Sequence, residues 1–112
     1  MTKIEAIIPP SSLDRARELL AHPWIAGMTV SEVKGPRPDR GPLAILRGAV
    51  LATDFLPELK LELVIPDPLV PRILHELLSL LRSGRDAGGR LLVSKVSEAV
   101  RIRNGERGEG AL

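Results

Sequence analysis

The sequence contains no cysteine and no tyrosine, and Trp24 and Phe55 are its whole complement of Phe, Trp and Tyr. Without cysteine, disulfides and thiolate metal sites are excluded. A sheet that binds RNA stacks bases on aromatic side chains of its central strands, and that class is disfavoured here. No apolar run approaches the ~18 residues of a membrane span. The amino terminus, Met1-Thr2-Lys3-Ile4-Glu5, lacks the apolar core of a secretory signal. The formal net charge is only +2, too little for the concentrated basic face that nucleic acid requires. The expectation is a cytoplasmic, soluble protein with no nucleic-acid partner and no direct membrane insertion.

What is present is aliphatic. The 112 residues are 44% hydrophobic, so the core must be built from Leu, Ile and Val. A chain of this length supports one domain, here 1–112, and buries about two-thirds of its unfolded surface.

Taken in order, Lys3 to Ile8 reads as a short strand, stopped by Pro9-Pro10 because proline lacks the N–H a ladder needs. Ser12 stands at an N-cap position, and Leu13, Ala16, Leu19 and Leu20 recur at helical spacing as far as Ala21-His22-Pro23. Ile25 to Lys34 reads as a strand. Three prolines and a glycine then fall between Pro36 and Pro42, the start of a long loop at about 37–54. Its apolar part, Leu43 to Ala52, is either a strand or an apolar loop tip of the kind that meets partners. Leu59, Leu61, Leu63 and Ile65 alternate with Lys60, Glu62 and Val64, the pattern of a strand with one buried face. Val70 to Leu81 carries Ile73, Leu74, Leu77, Leu78 and Leu81 at helical spacing, and Gly84 stops that helix. Leu91-Leu92-Val93 reads as a strand, and Ser97 to Arg103 as a further short strand or an extended tail. The order β-α-β-loop-β-α-β predicts an α+β, ferredoxin-like βαββαβ sandwich: an antiparallel sheet with two helices on one face.

The stretch with the most chemistry is Gly84-Arg85-Asp86-Ala87-Gly88-Gly89-Arg90, with Arg101 and Arg103 downstream. A glycine-rich turn leaves backbone N–H groups open to approach, and the arginines add positive charge; together they suit an anion such as phosphate. It is neither a Walker loop nor a dinucleotide fingerprint, since the lysine-Ser/Thr pair is missing and a helix, not a strand, precedes it. A plain helix-to-strand connection with solvated arginines is the alternative.

With the order set, several segments resemble the nitrogen regulatory PII signal-transduction family. They include Lys3-Ile4-Glu5-Ala6-Ile7-Ile8, Gly27-Met28-Thr29-Val30-Ser31-Glu32-Val33-Lys34-Gly35, Asp54-Phe55-Leu56-Pro57, Lys60-Leu61-Glu62-Leu63-Val64 and Val100-Arg101-Ile102-Arg103-Asn104-Gly105-Glu106. The resemblance spans essentially the whole chain. It implies a compact homotrimer that binds ATP or ADP between subunits, with Mg²⁺ as a possible companion. It also implies that the loop at about 37–54 docks on, and controls, a regulated transporter or metabolic enzyme of nitrogen metabolism. By position it puts Gly35, Glu62, Val64 and the turn Ala87, Gly88, Gly89 and Arg90 on one wall of the site. Gly27, Met28, Thr29, Arg101 and Arg103 would come from the neighbouring subunit, while Ile7 and Val64 would seat the adenine.

The departures are specific. Asp39 replaces the glutamine that joins 2-oxoglutarate and Mg²⁺, and it stays the one candidate metal ligand. Glu58 reverses the charge of the lysine that meets the far carboxylate, Leu51 replaces the nucleotidylated tyrosine, and Ala49 stands where some relatives carry a phosphorylated serine. The resemblance therefore implies weak or no 2-oxoglutarate sensing. A divergent PII-like sensor of AMP/ADP or bicarbonate in carbon metabolism is the alternative. Arg47, in the apolar loop, is a candidate anchor for a partner. His22 and His75 are isolated and read as helix surface, and Trp24 as core or subunit packing. Beside the turn, only Asp86 and Glu62 could act as a general base, so the chain reads as a sensor and not an enzyme.

Overall fold

The computed structural model describes residues 1–36, 55–84 and 88–112. Four strands form one sheet: β1 (Thr2–Ile8), β2 (Thr29–Pro36), β3 (Phe55–Ile65) and β4 (Arg90–Lys95), in the spatial order β2-β3-β1-β4. All three pairings are antiparallel. The α-helical turn α1 (Leu13–Ala16) and the helix α2 (Val70–Arg82) connect β1 to β2 and β3 to β4. This is the ferredoxin-like α+β arrangement expected from the order of elements.

Alternation along each strand separates two faces. Ile4, Ala6 and Ile8 on β1 and Leu59, Leu61, Leu63 and Ile65 on β3 turn to the helices. There they meet Ala16 and Leu19 from the first helical region, Ile25, and Ile73, Leu77 and Leu81 of α2. Those last three recur every fourth residue, so one stripe of α2 carries the contact. Full burial of each is worth about 1.5–3 kcal/mol. The strand at each edge of the sheet is blunted with charge, Glu32 and Lys34 on β2 and Lys95 on β4, all exposed.

Five local expectations need correction. Ser12 occupies the N-cap position of α1 but does not cap it: its backbone is already helical, and its side chain makes no cap hydrogen bond. It is buried, and its Oγ accepts a bond from Arg15 Nη2 at 3.0 Å. The first helix is α-helical over only four residues and continues as a 3-10 turn, Arg17–Ala21. The strand expected from Ile25 begins at Thr29, and β3 starts at Phe55, four residues before Leu59, because β2 offers it partners from Thr29 to Pro36. Ser97 to Arg103 is not a strand; an isolated bridge joins Val100 to Arg107, and residues 102–104 form the turn between them.

His22 sits differently from expectation, and of the two alternatives for Trp24 the core is ruled out. His22 Nε2 lies 2.6 Å from Glu76 Oε1 on α2, so it is tied to that helix and not free surface. Trp24 is outside the core: it is exposed, its ring stacks on His22 at 5.1 Å, and Arg72 lies 4.3 Å from its centroid. One patch of α2, Arg72 and Glu76 at i and i+4, thus pins the connection into β2.

Candidate functional site: the open sheet face and its glycine turn

The sheet face away from the helices gathers most of the expected site residues. Strand register puts Ile7 opposite Lys60 and Arg90, Glu62 opposite Glu5 and Thr29, Val64 opposite Lys3, and Gly35 opposite Leu56. Directly paired residues share a face. Ile7, Thr29, Gly35, Glu62, Val64 and Arg90 therefore lie on one surface. The same register spreads them along it. Ile7 and Val64 are offset by four residues of β3, about 13 Å of strand. One purine ring cannot rest on both within a single chain. The face has two ends, one with Thr29, Glu62 and Val64, the other with Ile7, Arg90 and the glycine turn.

The middle of the face is a charge network. Lys3 Nζ lies 2.8 Å from Glu5 Oε1 and 4.0 Å from Glu62 Oε1, and Lys60 Nζ lies 3.8 Å from Glu62. The two glutamates stand directly opposite one another, and the lysines offset their repulsion. The bond to Glu5 raises the Lys3 ammonium above its ordinary range, and the bond from Lys3 lowers the Glu5 carboxyl.

The glycine turn closes one end. Gly88, Gly89 and Arg90 are exposed, and Gly89 adopts φ +96°. A Cβ on Gly89 would overlap the carbonyl oxygen of Ile7, so the turn runs hard against the end of β1. On the helix side, Gly88, Gly89, Arg90 and Arg82 line a cleft of ≈ 350 Å³. Gly84 makes a different contact: a Cβ there would overlap the guanidinium of Arg15, which would have to move aside. That cation sits at the carboxyl-terminal end of α2, where the helix dipole favours positive charge. Its Nε is buried without a hydrogen-bond partner among the described residues.

Arg101 and Arg103 do not alternate on a strand. They flank the start of a turn closed by Arg101 N–H to Glu106 O at 2.8 Å and Gly105 N–H to Arg101 O at 2.8 Å. Arg101 Nη2 donates to the Leu112 main-chain oxygen at 3.0 Å, and Nη1 lies 3.9 Å from Glu106 Oε2. Arg103 is exposed. Gly27 has open space around it, Met28 is half-buried, and both precede Thr29 at the start of β2. Ala87, Asp39 and Arg47, together with the loop at about 37–54, lie outside the described residues. Among the described residues no group of three His, Asp or Glu comes together to hold a metal ion. No helix among them is long and apolar enough to cross a membrane.

Reading the sequence singled out Glu58 as a charge reversal but missed that its carboxylate covers Gly35. Its signal was present: Glu58 continues the Lys60, Glu62 alternation onto the open face.

A four-stranded antiparallel sheet with helices on one face and a charged open face on the other defines the class as a ferredoxin-like α+β protein. The family description "Nitrogen regulatory protein P-II" matches residues 1–106. The chain is 44% identical to the nitrogen regulatory protein P-II of Rhodospirillum rubrum, 42% to that of Haemophilus influenzae, and 41% to the nitrogen regulatory protein P-II 1 of Escherichia coli K12. Each match runs over 112 residues and the full length of both chains. The chain belongs to the nitrogen regulatory P-II family.

Proposed function

We propose that this P-II family protein is a non-catalytic, cytoplasmic signal-transduction regulator that binds ATP or ADP at clefts between the copies of a homotrimer. The loop at about 37–54 then docks on a transporter or metabolic enzyme of nitrogen metabolism, with Arg47 as its anchor and Asp39 as a candidate Mg²⁺ ligand. Nucleotide binding shifts the loop among its conformations and so changes partner affinity.

The observation that carries this reading is the shared face of Ile7, Thr29, Gly35, Glu62, Val64 and Arg90, ending at a glycine turn. The separation of its two ends favours a site completed between copies. The Thr29, Glu62 and Val64 end of one copy offers a purine an apolar and polar seat. The Gly88 and Gly89 N–H groups, with Arg90, Arg101 and Arg103, offer donors for phosphate.

The test is calorimetry with ATP, ADP, AMP, 2-oxoglutarate and bicarbonate, alongside sedimentation of the protein. Arg101→Ala and Arg103→Ala each weaken nucleotide binding by about 1–3 kcal/mol. Unchanged affinity in both variants would remove the site assignment. A second reading, a sensor of AMP/ADP or bicarbonate in carbon metabolism without 2-oxoglutarate sensing, is favoured by the Glu58 carboxylate against Gly35.

A further inference from the structure

We infer that Glu106 competes with phosphate for the Arg101 guanidinium, so that a phosphorylated ligand binds only by drawing Arg101 away from its own chain. The inference rests on the nucleotide-binding reading above, in which Arg101 is a phosphate donor. The backbone holds the two residues together. Arg101 N–H donates to Glu106 O at 2.8 Å, and Gly105 N–H donates to Arg101 O at 2.8 Å. Val100 bridges to Arg107, Gly108 N–H donates to Ala99 O at 3.0 Å, and Arg107 pairs with Glu98. Glu106 N–H also donates to Asn104 Oδ1 at 3.0 Å, which closes the turn from inside. The Glu106 carboxylate stands beside Arg101 because the main chain puts it there.

Both ends of the guanidinium are engaged. Nη2 donates to the Leu112 main-chain oxygen at 3.0 Å, and Nη1 lies 3.9 Å from Glu106 Oε2. The 3-10 turn Gly108–Ala111 carries Leu112 back to Arg101. Gly110 makes room for this arrangement, since a Cβ there would overlap the Glu106 carboxylate. At 3.9 Å that carboxylate attracts the cation without a hydrogen bond to fix its orientation. It does not hold Arg101 ready for a ligand as a bidentate pair would. A phosphate needs the same N–H groups, so it must displace these contacts, and it meets a negative charge as it arrives. The two side chains are 43% and 48% exposed, so solvent screens the effect to a modest factor. Adenosine carries no phosphate and makes no claim on Arg101.

The experiment titrates adenosine, ADP and ATP by calorimetry into the wild type, Glu106→Gln, Arg101→Ala and the double variant. Glu106→Gln keeps the main-chain bonds and removes the charge. It binds ADP and ATP roughly two- to fivefold more tightly than the wild type, while adenosine is unchanged. In the Arg101→Ala background that gain disappears, because the contested group is gone. Weaker or unchanged ATP binding in Glu106→Gln, an equal gain for adenosine, or the full gain without Arg101 overturns the inference and leaves the nucleotide site standing. Failure of every ligand to bind both the wild type and Glu106→Gln overturns the nucleotide reading, and this inference with it. Equal melting temperatures of the wild type and Glu106→Gln exclude misfolding as the cause.

Discussion

Gly89 holds its backbone against the carbonyl oxygen of Ile7, at a φ of +96° that only glycine adopts without strain. That contact couples the glycine turn to the one residue of β1 that is buried on the open face. Gly89→Ala introduces both a disfavoured φ and an overlap with backbone. The expected cost is about 1–3 kcal/mol, read as a lower urea midpoint. An unchanged midpoint would show that the turn does not depend on this contact.

Gly84 and Arg15 make a separate joint between the two helical regions. Gly84→Ala displaces the Arg15 guanidinium from the end of α2, because the new methyl group needs the same space. Loss of a cation at a helix carboxyl terminus costs about 0.3–1 kcal/mol. In a double-mutant cycle, Gly84→Ala should therefore cost less in an Arg15→Ala background than in the wild type. Strictly additive melting shifts would refute the coupling.

Asp67 clasps the ends of three elements. Its Oδ1 accepts from the Thr2 hydroxyl at 2.6 Å and lies 3.1 Å from the first amino group, and its Oδ2 lies 3.0 Å from Lys95 Nζ. The Thr2 hydroxyl, then Lys95, then the amino group hold this carboxyl well below the usual carboxylate range. A carboxyl depressed on folding contributes stability above its unfolded value, about 3.9, and loses it as pH falls through the folded one. The melting-temperature gap between wild type and Asp67→Asn should stay constant above about pH 5 and shrink below about pH 4. A gap that stays constant down to pH 2 would exclude this role.

Trp24 is held by Arg72 and stacked on His22, and His22 is bonded to Glu76. Arg72→Ala removes a cation from an exposed ring face and should cost about 0.5–1 kcal/mol in thermal melts. Because the contact is shared, the cost should disappear in a Trp24→Ala background. Persistence of the full cost there would assign Arg72 another role.

Much of the fold was legible along the chain because the signals are local. The alternation from Leu59 to Ile65 and the fourfold spacing of Ile73, Leu77 and Leu81 each state their own buried face. The errors fall where a specific partner, near or far along the chain, overrides the pattern. Phe55 to Glu58 joins β3 because β2 lies beside it, although its own pattern is weak. Ser12 has the chemistry of a cap, but Arg15 claims its oxygen. Val100 to Arg103 reads as extended, yet a single bridge to Arg107 folds it into a turn. Trp24 is apolar enough for the core, but α2 offers it a cation on the surface.

The amino-acid sequence by itself determined the element order, the aliphatic core and the composition of the glycine turn, since propensity and periodicity act over a few residues. Only the tertiary structure decided how the open face is laid out. Strand register joins residues more than fifty positions apart, Ile7 with Lys60 and Arg90, and no short-range pattern encodes it. That register separates Ile7 from Val64, and it sets the Glu58 carboxylate over Gly35 of β2.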